Sequence, residues 1–160
     1  MCRFDINQSA DFAFIALGSL YAQSRDDQIS HFDSVAKVLP TGGLYLLDWC
    51  VYFGLPISTK DTWKTQSGDI RVKTLYTGKL VNPTDQLFEE SITLEVADGE
   101  VSGSYTGTDT KRLFYPQEFL LFLRHYTSFE FLGWWNNWSL DDPLPSPKAI
   151  NRPIVLLRKS

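Results

Sequence analysis

The sequence predicts an α/β fold: two parallel strands joined by a crossover helix, plus a C-terminal antiparallel strand pair, with an antiparallel β-meander inserted between them. Three observations carry this expectation. Phe12–Leu17 is an apolar run without alternation, as expected of a strand buried on both faces of a parallel sheet. A capped amphipathic helix follows it and leads to a second apolar run, Leu44–Leu47. From Ile70 to Phe114 the pattern changes to alternation punctuated by turn residues.

The first run stops at Gly18-Ser19. Ser24 then reads as a helix N-cap, because Asp26 and Asp27 lie in the first turn, where the helix dipole favours acids. Ile29, Phe32, Val35, Ala36 and Leu39 recur at helical spacing, and Pro40 with Gly42-Gly43 ends the helix. The second strand ends near Asp48-Trp49. A strand, helix and strand of these lengths form a right-handed parallel crossover. In the insert, Ile92, Leu94 and Val96 share one face and Thr93 and Glu95 the other, and Asp98-Gly99 reads as a two-residue hairpin turn. Three or four strands are expected, with the insert spanning about residues 63–114. Pro116 opens a second helix with an apolar face of Phe119, Leu120, Phe122, Leu123 and Tyr126. Strands at Phe129–Trp134 and Ile154–Leu157, with a loop rich in Asn, Asp and Pro between them, complete the chain. One domain of 160 residues is expected.

Composition narrows function. The net charge is −4 with no basic run, which excludes a nucleic-acid groove. Cys2 and Cys50, the only cysteines, have no CxxC or clustered histidines, so they read as reduced thiols and not as metal ligands. No apolar run approaches membrane-spanning length and no signal peptide opens the chain, so a cytoplasmic protein without membrane contact is expected. No Ser/His/Asp grouping is legible. His31 falls off the apolar helical face and reads as solvated; His125 complements the dipole at the end of the second helix.

Four segments, in order, carry a family resemblance: Asp11-Phe12-Ala13-Phe14 through Gly18-Ser19-Leu20-Tyr21; Val38-Leu39-Pro40-Thr41-Gly42-Gly43-Leu44-Tyr45-Leu46-Leu47-Asp48; Arg112-Leu113-Phe114-Tyr115-Pro116-Gln117-Glu118-Phe119; and Arg152-Pro153-Ile154-Val155-Leu156-Leu157-Arg158-Lys159. Together they resemble the C-terminal half of a class I S-adenosylmethionine-dependent methyltransferase of the small-molecule type. The second contains that family's L-x-P-G-G turn with Thr41 as spacer; the third is similar to the R-x-[YF]-x-x-x-E-[LF] segment that opens its late helix. No G-x-G occurs anywhere in the sequence, whereas the family's first strand ends in a glycine-rich turn that approaches the cofactor. Met1-Cys2-Arg3-Phe4-Asp5 looks like the remnant of the segment flanking the adenine. The chain is therefore expected to begin inside a Rossmann-like fold, as a truncation, as one of two chains, or as a binding module derived from it.

By this resemblance Leu17, Gly18, Ser19 and Tyr21 would line the pocket of S-adenosylmethionine. Independently, ligand sites form beyond the carboxyl ends of parallel strands, where the loops diverge. Gly18-Ser19 alternatively makes only a tight turn. Asp48 and Trp49 end the second strand at the same edge, where a carboxylate orients an acceptor or caps the following turn. Trp63, Arg112 and Tyr115 are the acceptor-side candidates, since the insert normally roofs that pocket; Arg112 alternatively forms a surface ion pair. Trp134-Trp135-Asn136-Asn137-Trp138 either stacks on a ring or sugar or packs over the sheet edge. Methyl transfer needs little acid–base chemistry, because the sulfonium is already activated. The expected function is methylation of a small molecule, with weak or absent cofactor binding by this chain alone; a non-catalytic module is the alternative. The strand at Phe12–Leu17 would leave an apolar edge for a homodimer or a partner chain.

Overall fold

The computed structural model describes residues 2–54, 58–145 and 149–160. Met1, where the adenine-flanking resemblance starts, and the middle of the expected Asn/Asp/Pro loop, 146–148, lie outside the described residues. The described chain forms two compact units, Met1–Leu55 with Arg112–Ser160, and Pro56–Lys111.

In the first unit the elements are β1 (Phe12–Ile15), α1 (Arg25–Val38) and β2 (Leu44–Asp48), and after the insert α2 (Pro116–Tyr126), β7 (Phe129–Asn136), β8 (Ser139–Pro143) and β9 (Pro153–Lys159). The insert carries β3 (Ser58–Ser67), β4 (Ile70–Asn82), β5 (Leu87–Asp98) and β6 (Val101–Arg112). Among the described residues the first sheet has the order β1-β2-β9-β7-β8 and the second β3-β4-β5-β6. β1 and β2 are parallel, with Phe12 opposite Leu44 and Ile15 opposite Leu47, as expected of the crossover. β9 runs antiparallel to both β2 and β7, so the C-terminal pair is inserted beside the parallel pair.

Local chemistry sets the helices. Ser24 caps α1 in a capping box: its side chain accepts from the Asp27 N–H, and the Asp27 carboxylate accepts from the Ser24 N–H. Gly42, at φ +86°, lets the chain turn after α1, and its N–H donates to the Lys159 carbonyl at 2.8 Å. Pro116 stands in the first turn of α2.

The core of the first unit is aromatic. The Phe32 ring lies edge-on to Tyr45, Phe122 and Phe129 at 5.6, 5.2 and 5.9 Å, and Phe114 sits 5.2 Å from Phe119. Such edge-to-face pairs add to the area they bury.

Several expectations are corrected. β1 ends at Ile15, not Leu17, and is not buried on both faces: Phe12 and Phe14 are largely exposed, because β1 is the outermost strand of its sheet among the described residues. His31 is not solvated. It is buried, with Nε2 2.7 Å from the Tyr45 hydroxyl, because the buried face of α1 is turned to include Gln28, His31 and Ser34. Tyr126 is exposed and not part of the buried face of α2. The hairpin after β5 turns on Gly99-Glu100, with Gly99 at φ +57°, one residue later than expected. β8 occupies part of the segment read as a loop; its Asp141-Asp142-Pro143 sequence is unlike a strand, but an edge position tolerates proline.

The insert is a four-stranded antiparallel meander among the described residues, and it opens at Ser58, before the expected residue 63. Ile92, Leu94 and Val96 lie opposite Tyr76, Thr74 and Val72, so the apolar residues of β4 and β5 share a face as the alternation requires.

Candidate functional site

β1 and β2 run in the same direction and their carboxyl ends open together. The turn after β1 is held to the end of β2 by two hydrogen bonds. The Leu17 N–H donates to Asp48 Oδ2 at 2.8 Å, and the Gly18 N–H donates to the Asp48 carbonyl at 2.9 Å. The turn is closed on itself by the Ser19 hydroxyl, which donates to the Ala16 carbonyl at 2.8 Å, and by the Tyr21 N–H on the Ser19 carbonyl at 3.1 Å.

Asp48 is fully buried. Arg152 grips it with two bonds, Nε to Oδ1 at 2.8 Å and Nη2 to Oδ2 at 2.5 Å, the bidentate geometry that guanidinium and carboxylate share. Burial opposes the charge on Asp48, but the hydrogen bonds from Arg152, the Leu17 amide and the Trp138 side chain outweigh it and hold the carboxyl below its usual value. The Asp48 carboxylate in turn raises Arg152 above its usual value. Arg152 also lies 5.7 Å over the Trp138 ring, within cation–π reach.

The backbone at this edge is unusual. Leu17 and Trp49 both have φ +58°, Gly18 φ +65°, and Asn137 and Trp138, in the turn between β7 and β8, φ +54° and +57°. A left-handed conformation costs a bulky residue about 1–2 kcal/mol, so it persists only where surrounding bonds enforce it. Here they do: the Trp49 N–H donates to the Pro153 carbonyl and the Asn137 N–H to the Arg152 carbonyl, both at 2.9 Å. Leu17, Trp49 and Trp138 keep exposed side chains. The edge therefore combines a buried, charged anchor with exposed apolar side chains on fixed backbone, a combination suited to holding a ligand in one orientation.

Of the residues singled out in the sequence, the structure brings Leu17, Gly18, Ser19, Asp48 and Trp49 together, with Tyr21 in the following turn. Arg112 and Tyr115 join a different group. Arg112 donates its backbone N–H to the Ala22 carbonyl at 2.7 Å and Nη1 to Gln28 Oε1 at 2.9 Å, and it pairs with Glu118. Tyr115 precedes α2 as its N-cap residue, and burial followed by the nearby Glu118 charge raises its phenol. Trp63 lies on β3 in the insert, opposite Thr74, and is about half exposed. Sequence reasoning missed Arg152 as part of the edge, and it placed Trp138 only in a stretch that stacks on a ring or packs over the sheet edge. The signal for the first was Asp48 itself: an acid ending a buried apolar strand requires a cationic partner.

Among the described residues no three His, Cys, Asp or Glu side chains gather as metal ligands, and no helix is long and apolar enough to cross a membrane.

No protein-family model and no curated protein matches the chain. Solved structures do. The chain is similar over 99% of its length to an S-adenosylmethionine-dependent methyltransferase from Clostridium acetobutylicum ATCC 824, with a TM-score of 0.76, 19% identity and 62% of that chain covered. It is similar, again over 99%, to CalS10, an amino pentose methyltransferase of Micromonospora echinaspora, with a TM-score of 0.66, 10% identity and 62% of that chain covered. A third is the sugar N-methyltransferase KedS8 of Streptoalloteichus sp ATCC 53650, with a TM-score of 0.65, 17% identity and coverage of 99% and 60%. The chain thus spans 60–62% of the length of these structures. The fold, a mixed sheet with an added antiparallel sheet, is that of S-adenosylmethionine-dependent methyltransferase structures.

Proposed function

We propose that this chain serves S-adenosylmethionine-dependent methylation of a small molecule, and that the carboxyl edge of β1 and β2 is where its ligand sits. The observation that supports this most is the edge itself, with the Leu17–Gly18 turn and Trp49 fixed on Asp48 in a fold shared with such enzymes. The acidic balance of the chain favours a small acceptor over a nucleic acid. The sugar and amino-pentose methyltransferases among the similar structures make amino sugars the first acceptors to try.

The residues present fit one end of the cofactor. Gly18 and Ser19 form a compact turn beside the exposed Leu17 side chain, which suits the apolar surroundings of a methyl group. The Leu17 and Gly18 amides are already engaged by Asp48, so they do not serve as an anion cradle. A nucleotide end needs a glycine-rich turn at a strand end, and the sequence has no G-x-G. We therefore assign that role to a segment that adds to this fold. The outer edge of β1, with Phe12 and Phe14 exposed and their rings 5.9 Å apart, is the place for another strand, whether from such a segment, a partner chain or a second copy. The bound cofactor supplies an already activated methyl group; the residues of this chain orient the acceptor and exclude water.

Isothermal titration with S-adenosylmethionine tests the reading. Residues 1–160 alone should bind in the millimolar range or weaker. An assembly that includes a strand and glycine-rich turn, encoded in frame upstream or on a second polypeptide, should bind one equivalent far more tightly. An assembly so completed that still binds none would refute the proposal.

A further inference from the structure

We propose that Asp48 is a positioning residue, acting with Arg152 to lock the Leu17–Gly18 turn and Trp49 in their left-handed conformations, and that it does not itself contact the acceptor. The inference rests on the ligand crevice proposed above and assigns the roles within it.

The geometry supports it in three ways. First, the Asp48 carboxylate is fully buried and engaged: Oδ1 accepts from Arg152 Nε, Oδ2 from Arg152 Nη2 and from the Leu17 N–H, and the Trp138 side chain adds a further bond. An acceptor amine or hydroxyl would have to displace one of these. Second, Asp48 uses its main chain for the same turn, since its carbonyl takes the Gly18 N–H at 2.9 Å. One residue therefore fixes two consecutive left-handed residues. Third, Arg152 extends the lock to the other side of the edge. Its own carbonyl accepts the Asn137 N–H, the next carbonyl, that of Pro153, accepts the Trp49 N–H, and its guanidinium lies against the Trp138 ring. Leu17, Gly18, Trp49, Asn137 and Trp138 all have positive φ, and each is one bond or one residue away from the Asp48–Arg152 pair.

Left-handed backbone at Leu17 and Trp49 is unfavourable on its own, so removing the lock should release these residues locally before the sheet unfolds. Site-resolved amide hydrogen exchange of residues 1–160 reads this without any cofactor. In Asp48→Asn, which keeps the shape and loses the charge, exchange at the Leu17, Gly18 and Trp49 amides should accelerate about tenfold or more, while Tyr45, Leu47 and Val155 in the adjoining strands keep their rates. The Trp138 indole N–H resonance should shift as it loses its carboxylate partner. Arg152→Gln, the milder change at the other end of the pair, should give the same pattern with smaller amplitude, and it serves if Asp48→Asn does not fold. Uniform acceleration across β2 and β9 would mean that the pair only adds general stability, and would overturn the proposal. So would unchanged exchange at Leu17 and Gly18. Because these readouts do not involve methyl transfer, failure of the enzyme reading would leave them untouched and is recognised separately by the titration above.

Discussion

Two ion pairs with a buried carboxylate, one in each unit, use the same chemistry to different ends. In the first unit Asp48 and Arg152, 104 residues apart in sequence, join the end of β2 to the approach to β9 and hold backbone that would otherwise relax. In the insert, Glu90 and Lys111 pair at 2.9 Å between adjacent antiparallel strands, with the Tyr76 hydroxyl donating to Glu90 at 2.6 Å. No residue of that cluster has left-handed backbone. The insert pair braces a regular sheet, whereas the Asp48 pair braces a turn. A buried charge next to strained backbone points to a site; the same charge within a regular ladder points to packing.

The largest effect that would sharpen this contrast is expected in the insert. Lys111→Met leaves Glu90 buried without its cation and should cost about 3–5 kcal/mol in urea denaturation. Changing both residues to apolar ones of similar size should restore most of it. If the single change is harmless, the pair is not a brace and the contrast fails.

Asp48→Asn should cost less, about 1–3 kcal/mol, because its amide still accepts one bond and Arg152 is partly exposed and can turn to solvent. The effect should depend on pH. The folded-state value of Asp48 lies below its unfolded one, so its contribution is full above the unfolded value, about 4, and is lost as pH falls through the lower folded value. Denaturation midpoints of wild type and Asp48→Asn should therefore differ at neutral pH and converge on acidification below about pH 4. A difference that stays constant down to the acid limit would contradict the charge-based lock.

Ser24→Ala, which removes the side-chain half of the capping box at α1 and leaves the Ser24 N–H bond to Asp27, should cost about 1 kcal/mol in thermal unfolding. The smallest effect is expected at the exposed Arg158–Glu130 pair, where Arg158→Ala should cost under about 1 kcal/mol. A larger value there would show that exposed and buried pairs are not separable in this chain.

The parallel crossover was legible in the sequence because each of its parts is local: two apolar runs, a serine cap followed by two acids, and a Gly-Gly stop. The insert was legible only where one face is apolar. β4 and β5 alternate, but β3 is exposed at every position and gives no periodic signal, so the insert begins earlier than its pattern does. The polar residues on the buried side of α1 were illegible for a different reason. Gln28 and His31 are buried because Arg112 and Tyr45 meet them, partners 84 and 14 residues distant, and helical periodicity counts only apolar side chains. The candidate site was half visible. Turn residues and strand ends located the edge, but the partner of Asp48 lies at the far end of the chain, and the left-handed conformations of Leu17 and Trp49 have no signature in residues that normally avoid them.

The most direct measurement is an amide chemical-shift map of residues 1–160 joined to the glycine-rich segment proposed above, titrated with S-adenosylhomocysteine. Shifts should concentrate at Leu17–Tyr21 and Trp49, and spare the Gly42–Gly43 turn at the amino end of β2. A ligand that binds while leaving the Leu17–Tyr21 amides unmoved would contradict a crevice at the carboxyl ends of β1 and β2.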